Sequence, residues 1–577
     1  MNTLLLGVRV LLFALSTFGY LTFAHRKTRI SVDFLPALVF TGQICILFFA
    51  GLLNLLPLAV PVLFLTGLFL SLGSLRCREQ YRDFVTPALI FFALACLYFL
   101  LLLKGVLFTG YDNFSHWALV VKQMLQTDRF PTWQDPIILF QGYPLGSSVF
   151  IYYVSRLIST VSEGCQMFAQ TMLTISLILP VFSGIRKRKL PGFLLLLGAS
   201  LFFLSYIATP DSLYVDTLLP LCGAFGFLLL NRELEADEHT AWLTVLPAAA
   251  VIMIKNSGIF FWALIAGRVL IYWIRHRKTA SSMQRRSWLT VMLFPLFSLL
   301  AWNRHVAYVF TSAESSPHSM SLSVYLANIQ AKLADGTIPQ ITRAFLLQVL
   351  HGRILLLLLA VLLLAALYAR FQKLPRPAFG RLALFLVLVY AAYQLGSLCM
   401  YLFSMPEGEA LVMAGYPRYY GSIAIFCLAI ALYHFGKWMD TVTVPTAFIF
   451  TFVFLFVFCL MGANPRILLR HSGETQRDRL EALIQEYGLQ PDSACLVYVP
   501  ADDSGYTYHL VKYALYTATV DVHNSSDGED ISEVVETARD LGYDYLICFD
   551  TENDELNLYC AEMFGVPEAG RCLSDPY

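Results

Sequence analysis

Charge is scarce in this sequence. Only 14% of its 577 residues are Asp, Glu, Lys or Arg, where a soluble domain carries about a quarter. The two signs balance at 40 each, so no net field points to a nucleic-acid partner. The twelve cysteines are scattered and contain no C-x-x-C pair, which argues against a zinc site or a thioredoxin-like motif. There is no G-x-G-x-x-G and no P-loop, so nothing points to a nucleotide. Internal repeats and low-complexity segments are absent as well.

Apolar residues fill the space that charge leaves. They make up 57% of the chain, and mean hydropathy is +0.63. Runs of about 18 or more apolar residues recur, each long enough to cross a bilayer as a helix. The fold class expected is an α-helical polytopic membrane protein with about 14 transmembrane helices. The spans fall at 4–24, 32–52, 56–74, 85–108, 165–184, 191–208, 213–230, 241–254, 257–274, 288–311, 342–369, 381–403, 419–436 and 443–462. The first run carries its basic residues Arg26, Lys27 and Arg29 after the apolar stretch, so it reads as a retained helix and not a signal peptide.

Basic clusters predict sidedness. RKTR (26–29), RCREQYR (76–82), RKRK (186–189), RHRK (275–278) and the 370–381 loop share one side, cytoplasmic by the positive-inside rule. The acidic 231–240 loop falls on that side against the trend. The loops at 109–164, 209–212, 255–256, 312–341 and 404–418 then lie outside. The turn at Lys255-Asn256 decides the parity of everything after it.

Composition changes near residue 464. The tail alternates helix and strand: a helix at 474–487, strand 495–500, helix 506–516, strand 517–522, helix 531–542 and strand 543–549. This order predicts a small extracytoplasmic α/β domain over 464–577 with a parallel sheet, following a transmembrane domain over 1–463. Cys495 and Cys548 lie within apolar strands and read as buried thiols. Asp502-Asp503 resembles a metal pair but sits in a stretch of turn formers.

The 109–164 loop concentrates chemistry. It opens YDNFSHW, with Asp112 and His116. An amphipathic helix fits 113–127, lying in the membrane interface with Trp117 at headgroup level. Asp112 then stands at its N-terminus, as a cap, as a functional carboxylate, or as both. Pro144 in FQGYPLGSSVF suits the first turn of a following re-entrant or interfacial helix.

Asp112 in its acidic-aromatic opening, the following helix, the turn at Phe130-Pro131 and Tyr143-Pro144 resemble the first catalytic loop of the C-type (GT-C) membrane glycosyltransferases. That family includes oligosaccharyltransferases, protein mannosyltransferases and lipid A aminoarabinose transferases. The resemblance implies a transferase that moves a sugar from a polyprenyl-phosphate carrier to an envelope glycan or lipid acceptor on the outer face. Three additional helices precede the loop here, a departure from much of the family.

Such chemistry needs a carboxylate for the acceptor and positive charge or a divalent ion for the leaving phosphate. Asp112 is the first candidate. His116, four residues on, would contact phosphate, tune Asp112, or simply sit at the interface. Asp216, just inside an apolar helix in TPDSLYVDTLLP, is a second carboxylate. Asp211 reads as a loop or cap residue. Lys255, alone between two apolar runs, either snorkels or faces a polar cavity. Arg418 in GYPRYYG, flanked by Tyr416, Tyr419 and Tyr420, suits bidentate phosphate binding or an interfacial aromatic belt. His318 and Arg304-His305 are weaker phosphate or acceptor contacts. Asp112 and Asp216 together would suit magnesium or manganese, though several relatives work without a metal.

The runner-up is a transporter or flippase of lipid-linked saccharides, which predicts inverted repeats and helices broken near the midplane. A scaffold that displays its C-terminal domain leaves Asp112, Asp216 and Arg418 without purpose.

Overall fold

The computed structural model describes residues 3–28, 30–74, 78–185, 187–236, 238–310, 322–352, 376–460, 468–469, 475–524, 530–549 and a few isolated positions. The chain divides into two compact units. The first comprises Met1–Lys104, Thr127–Phe130 and Gly142–Arg470; the second comprises Gly105–Gln126, Pro131–Gln141 and His471–Tyr577.

The first unit is helical, as its continuous apolar runs require. Seven helical stretches among the described residues are long and apolar enough to cross a membrane: Leu4–Thr28, Val32–Leu52, Leu56–Ser74, Glu163–Phe182, Gly258–His276, Phe379–Ser404 and Tyr416–Met439. Shorter apolar helices stand beside them at Pro87–Leu102, Lys189–Phe203 and Val245–Ile254. Glu163–Phe182 is buried along its whole apolar window and forms the centre of the unit. Leu58, Phe69, Leu101, Leu300 and Phe456, on other helices, are exposed. A helix apolar all round suits a core, and helices with outward apolar faces suit hydrocarbon.

Several expected boundaries move. The 85–108 span stops at Leu102, where Leu103 and Lys104 bond back to Phe99 and Leu101 and close the turn. The 213–230 span starts at Leu218 and runs to Glu235. Just before this start, Ser422 Oγ donates to the Asp216 carbonyl, which Pro220, lacking an N–H, cannot satisfy within the helix. The 342–369 span begins at Ile338 and is described as a helix to His351; residues 353–362 lie outside the described residues.

The expectation that the 113–127 helix lies in the membrane interface with Trp117 at headgroup level is corrected. A π-helical turn, Asn113–Trp117, leads into the Ala118–Thr127 helix, and a second helix follows at Gly146–Ile158. Trp117 is 3% exposed, and Leu119, Val120, Val121 and Met124 are fully buried. Apolar residues on more than one face favour enclosure over an interface. The second helix begins two residues past Pro144, with Leu145 at its cap.

The acidic 231–240 loop has a local reason. Glu233 accepts from the backbone N–H of Leu243 and Thr244 and from the Thr244 hydroxyl. One carboxylate thus satisfies donors at the start of the Val245–Ile254 helix. At another helix end, Lys332 is fully buried and its ammonium donates to the carbonyls of Tyr401, Leu402 and Met405 at 2.5–3.1 Å.

The second unit contains the expected parallel sheet. Strands β1 (Cys495–Val499), β2 (Val520–Asn524) and β3 (Tyr545–Cys548) lie in the order β2-β1-β3, with two-residue β4 (Arg571–Cys572) antiparallel beside β3. Cys495 pairs with Val520 on one side and with Tyr545 on the other. All five residues of β1 are buried, as in a strand covered on both faces. Helices Gln476–Tyr487, Tyr506–Leu515 and Ile531–Asp540 complete the alternation. Cys495 and Cys548 are buried free thiols. Asp502 and Asp503 form a capping turn: Asp502 accepts from Ser504 N, and Asp503 from Gly505 N and Thr507 N.

Candidate functional site

Three charged residues distant in sequence meet in the first unit. Asp216 occupies the turn before the Leu218–Glu235 helix and is 3% exposed. Arg418 lies in the first turn of the Tyr416–Met439 helix. Its Nε and Nη2 donate to Asp216 Oδ2 at 3.0 and 2.7 Å. Lys255 Nζ stands 3.8 Å from the other oxygen, Oδ1. Tyr214 supports the arginine, its ring centre 4.9 Å from the guanidinium carbon. One turn past Arg418, Ser422 donates to the Asp216 carbonyl at 2.9 Å.

Lys255 reaches this point because the chain reverses there. It has an extended backbone, φ −159° and ψ 145°, between the Val245–Ile254 and Gly258–His276 helices. The reversal needs glycine at 258, where a Cβ would stand 2.0 Å from the Val251 carbonyl oxygen. Asn256 Nδ2 and Trp302 Nε1 both donate to the Gly142 carbonyl, which ties the turn to a neighbouring helix.

The electrostatics favour an anion. Two cations face one carboxylate, and the helices beginning at Leu218, Gly258 and Tyr416 contribute positive N-terminal ends. Thr217 Oγ1, Gln170 Oε1 and Asn256 Oδ1 are buried polar atoms without hydrogen-bond partners among the described residues. Unsatisfied buried groups are uncommon in a finished interior. Gln170 belongs to this surround, since its Nε2 donates to the Tyr214 carbonyl. A divalent cation does not fit at Asp216, because both carboxylate oxygens already face positive charge.

Asp112 and His116 belong to the second unit. Asp112 sits at the cap position of the Asn113–Trp117 turn, but its side chain makes no capping bond there. Its φ of −68° and ψ of −17° already continue a helix, so the chain does not present the carboxylate to the first turn. His116 is buried, with Trp117 and Phe140 against its ring at 4.7 and 5.9 Å. That places it in an aromatic packing layer.

The C-terminal helix Tyr506–Leu515 packs along this segment. Tyr506 donates to the Thr109 carbonyl at 2.9 Å. The Phe114 ring meets Tyr506 and Tyr513, and the Tyr111 ring meets His509 at 5.0 Å. Lys122 donates to the carbonyls of Tyr513 and Ala514 at the helix C-terminus. Burial holds the His509 imidazole down to about 4; Lys512 pushes the same way and the Asp112 carboxylate opposes it.

Of the remaining candidates, Tyr419 follows Arg418 with its ring edge-on to Tyr401. Asp211 lies in the turn closed by Ser212 N and the Thr209 carbonyl. His305 stacks on Trp302, and Arg304 is exposed. His318 lies outside the described residues. Sequence reasoning missed Tyr214, Ser422, Gln170 and the Tyr506–His509–Tyr513 stripe. Only the stripe left a signal, aromatic spacing of three and then four residues on one helix face.

No protein-family model, no curated protein and no solved structure matches this chain, so the chemistry of these two groups of residues rests on their own geometry.

Proposed function

We propose that this chain is an integral membrane glycosyltransferase of the C-type architecture. It moves a sugar from a polyprenyl-phosphate carrier to an envelope glycan or lipid acceptor on the outer face. The observation that carries this reading is the Asp216–Arg418–Lys255 cluster, in which two partly exposed cations meet one buried carboxylate at shared helix ends. A lipid-borne phosphate is the anion suited to such a place. The basic loops add sidedness: with RHRK (275–278) and RKRK (186–189) cytoplasmic, the cluster faces outward. The finer topology of about 14 crossings belongs to this proposal.

In this reading Arg418 and Lys255 stabilise the phosphate as it leaves. Asp216 holds the guanidinium in place and is not the base. The resemblance carried by YDNFSHW assigns Asp112, a residue of the second unit, the proton of the acceptor hydroxyl or amine as the new bond forms at the anomeric carbon. The bond from that carbon to the carrier phosphate oxygen breaks, and its electron pair leaves with the phosphate. His116 supports the Asp112 segment from within its packing layer.

A specific observation keeps the runner-up in view. The Val245–Ile254 helix has 10 residues and ends in the 255–257 break, a feature also suited to a flippase of lipid-linked saccharides. The experiment is to express Arg418→Gln and Asp112→Asn as sole copies and profile envelope glycans by mass spectrometry. Loss of one glycan modification at normal protein level is the expected result. Wild-type profiles from both variants, where deletion changes the profile, sink the enzyme reading. Purified protein that moves lipid-linked sugar across vesicles without transferring it would establish the flippase.

A further inference from the structure

His509 belongs to the C-terminal α/β domain, far from Asp112 in sequence. The Tyr506–Leu515 helix presents Tyr506, His509 and Tyr513 along one face, at the i, i+3, i+7 spacing of a helical stripe. The outer two residues pin the segment. Tyr506 bonds the Thr109 carbonyl and packs on Phe114, and Tyr513 packs on Phe114 and Phe108. Between them, the His509 ring lies edge-on to Tyr111, the residue before Asp112, with centroids 5.0 Å apart.

The imidazole is 7% exposed, and its buried Nδ1 has no hydrogen-bond partner among the described residues. Packing alone does not explain an imidazole here. A buried polar atom left unsatisfied is destabilising, and a phenyl ring would fill the same space without that cost. Catalytic hydrogen bonds are often open without substrate and close in the complex.

We propose that His509 is a positioning residue for Asp112, so that the C-terminal domain acts on the proposed base. This rests on reading Asp112 as the base. With the acceptor bound, the neutral imidazole donates its Nδ1 proton in a hydrogen bond to one Asp112 oxygen. The other oxygen is then turned toward the acceptor proton. No proton leaves the imidazole. The side chains that bear on His509 electrostatically or by ring contact are Asp112 and Tyr111 from the loop and Lys512 and Tyr508 from its own helix.

The test uses the full chain as the only copy in cells, with the modified envelope glycan quantified by mass spectrometry. Protein level and protease resistance are followed in parallel. Four variants are compared: Asp112→Asn, His509→Phe, His509→Gln and the double Asp112→Asn/His509→Phe. The expected pattern is a loss of about tenfold or more in His509→Phe and recovery of most of it in His509→Gln. The double variant should fall no lower than Asp112→Asn alone, the signature of two residues acting as one unit. If His509→Phe matches wild type while Asp112→Asn is impaired, the positioning role is overturned and the proposed function stands. Equal losses in His509→Phe and His509→Gln, or additive losses in the double variant, mean packing only and overturn it too. A wild-type profile for Asp112→Asn removes the base and overturns the positioning role, while the transferase reading then falls only if Arg418→Gln is wild type as well. Should His509→Phe not accumulate, His509→Leu replaces it in the same comparison.

Discussion

Arg418 places two nitrogens on a single oxygen of Asp216, at 3.0 Å from Nε and 2.7 Å from Nη2. The other oxygen faces Lys255. One carboxylate therefore faces two cations, one on each oxygen.

Removing that carboxylate should cost stability as well as activity. Asp216→Asn removes the carboxylate that both cations face, and because only the carboxylate side is buried the cost should stay below the roughly 3–5 kcal/mol of a fully buried pair. The double variant Asp216→Leu/Arg418→Met should regain most of the lost thermal stability in detergent, yet no glycan transfer. Recovered transfer would mean that the pair is only structural.

Lys255 should separate from Arg418 in its effects. Its 3.8 Å approach to Asp216 is too long for a strong bond. Lys255→Met should shift the midpoint of thermal unfolding little while lowering transfer by about tenfold. A large drop in stability with unchanged transfer would assign Lys255 to the fold.

The C-terminal domain should lose stability on acidification. His509 is held near 4 in the folded chain, against an ordinary value of 6.5. The unfolded chain therefore binds the extra proton first. Stability is fully present above about pH 6.5 and falls progressively toward pH 4. Lys512, pushed down by burial to about 8 from 10.5, adds stability as pH rises between those two values. Hydrogen exchange of residues 506–515 in the full chain, at pH 7 and pH 5, should show faster opening at the lower pH. His509→Phe should remove most of that difference.

Lys332 closes a helix end from inside. Lys332→Met would strand three carbonyls, at about 1–3 kcal/mol for each group left unsatisfied. Thermal unfolding of the variant should show a clear loss. Glu233→Ala should cost roughly 1–2 kcal/mol by the same measurement, as for other helix caps. A variant of either kind as stable as wild type would show that water replaces the bonds.

Local pattern alone determined much of this protein. Among the described residues, apolar runs longer than a dozen residues form helices, because an apolar side-chain surface and a self-satisfied backbone favour the same conformation. The tail's alternation of short apolar strands with amphipathic helices was equally legible, down to the parallel pairing of β1 with β2 and β3. Asp216, Lys255 and Arg418 stood out because charge is costly beside apolar runs. Their meeting did not. Asp216 and Arg418 are 202 residues apart, and which helix ends converge depends on packing volumes summed over several helices. Burial of the 113–127 segment was misread for the same reason: its amphipathic pattern shows that one face is hidden, not what hides it. Only the tertiary structure supplied the C-terminal helix that lies along it and set His509 beside Tyr111 and Asp112.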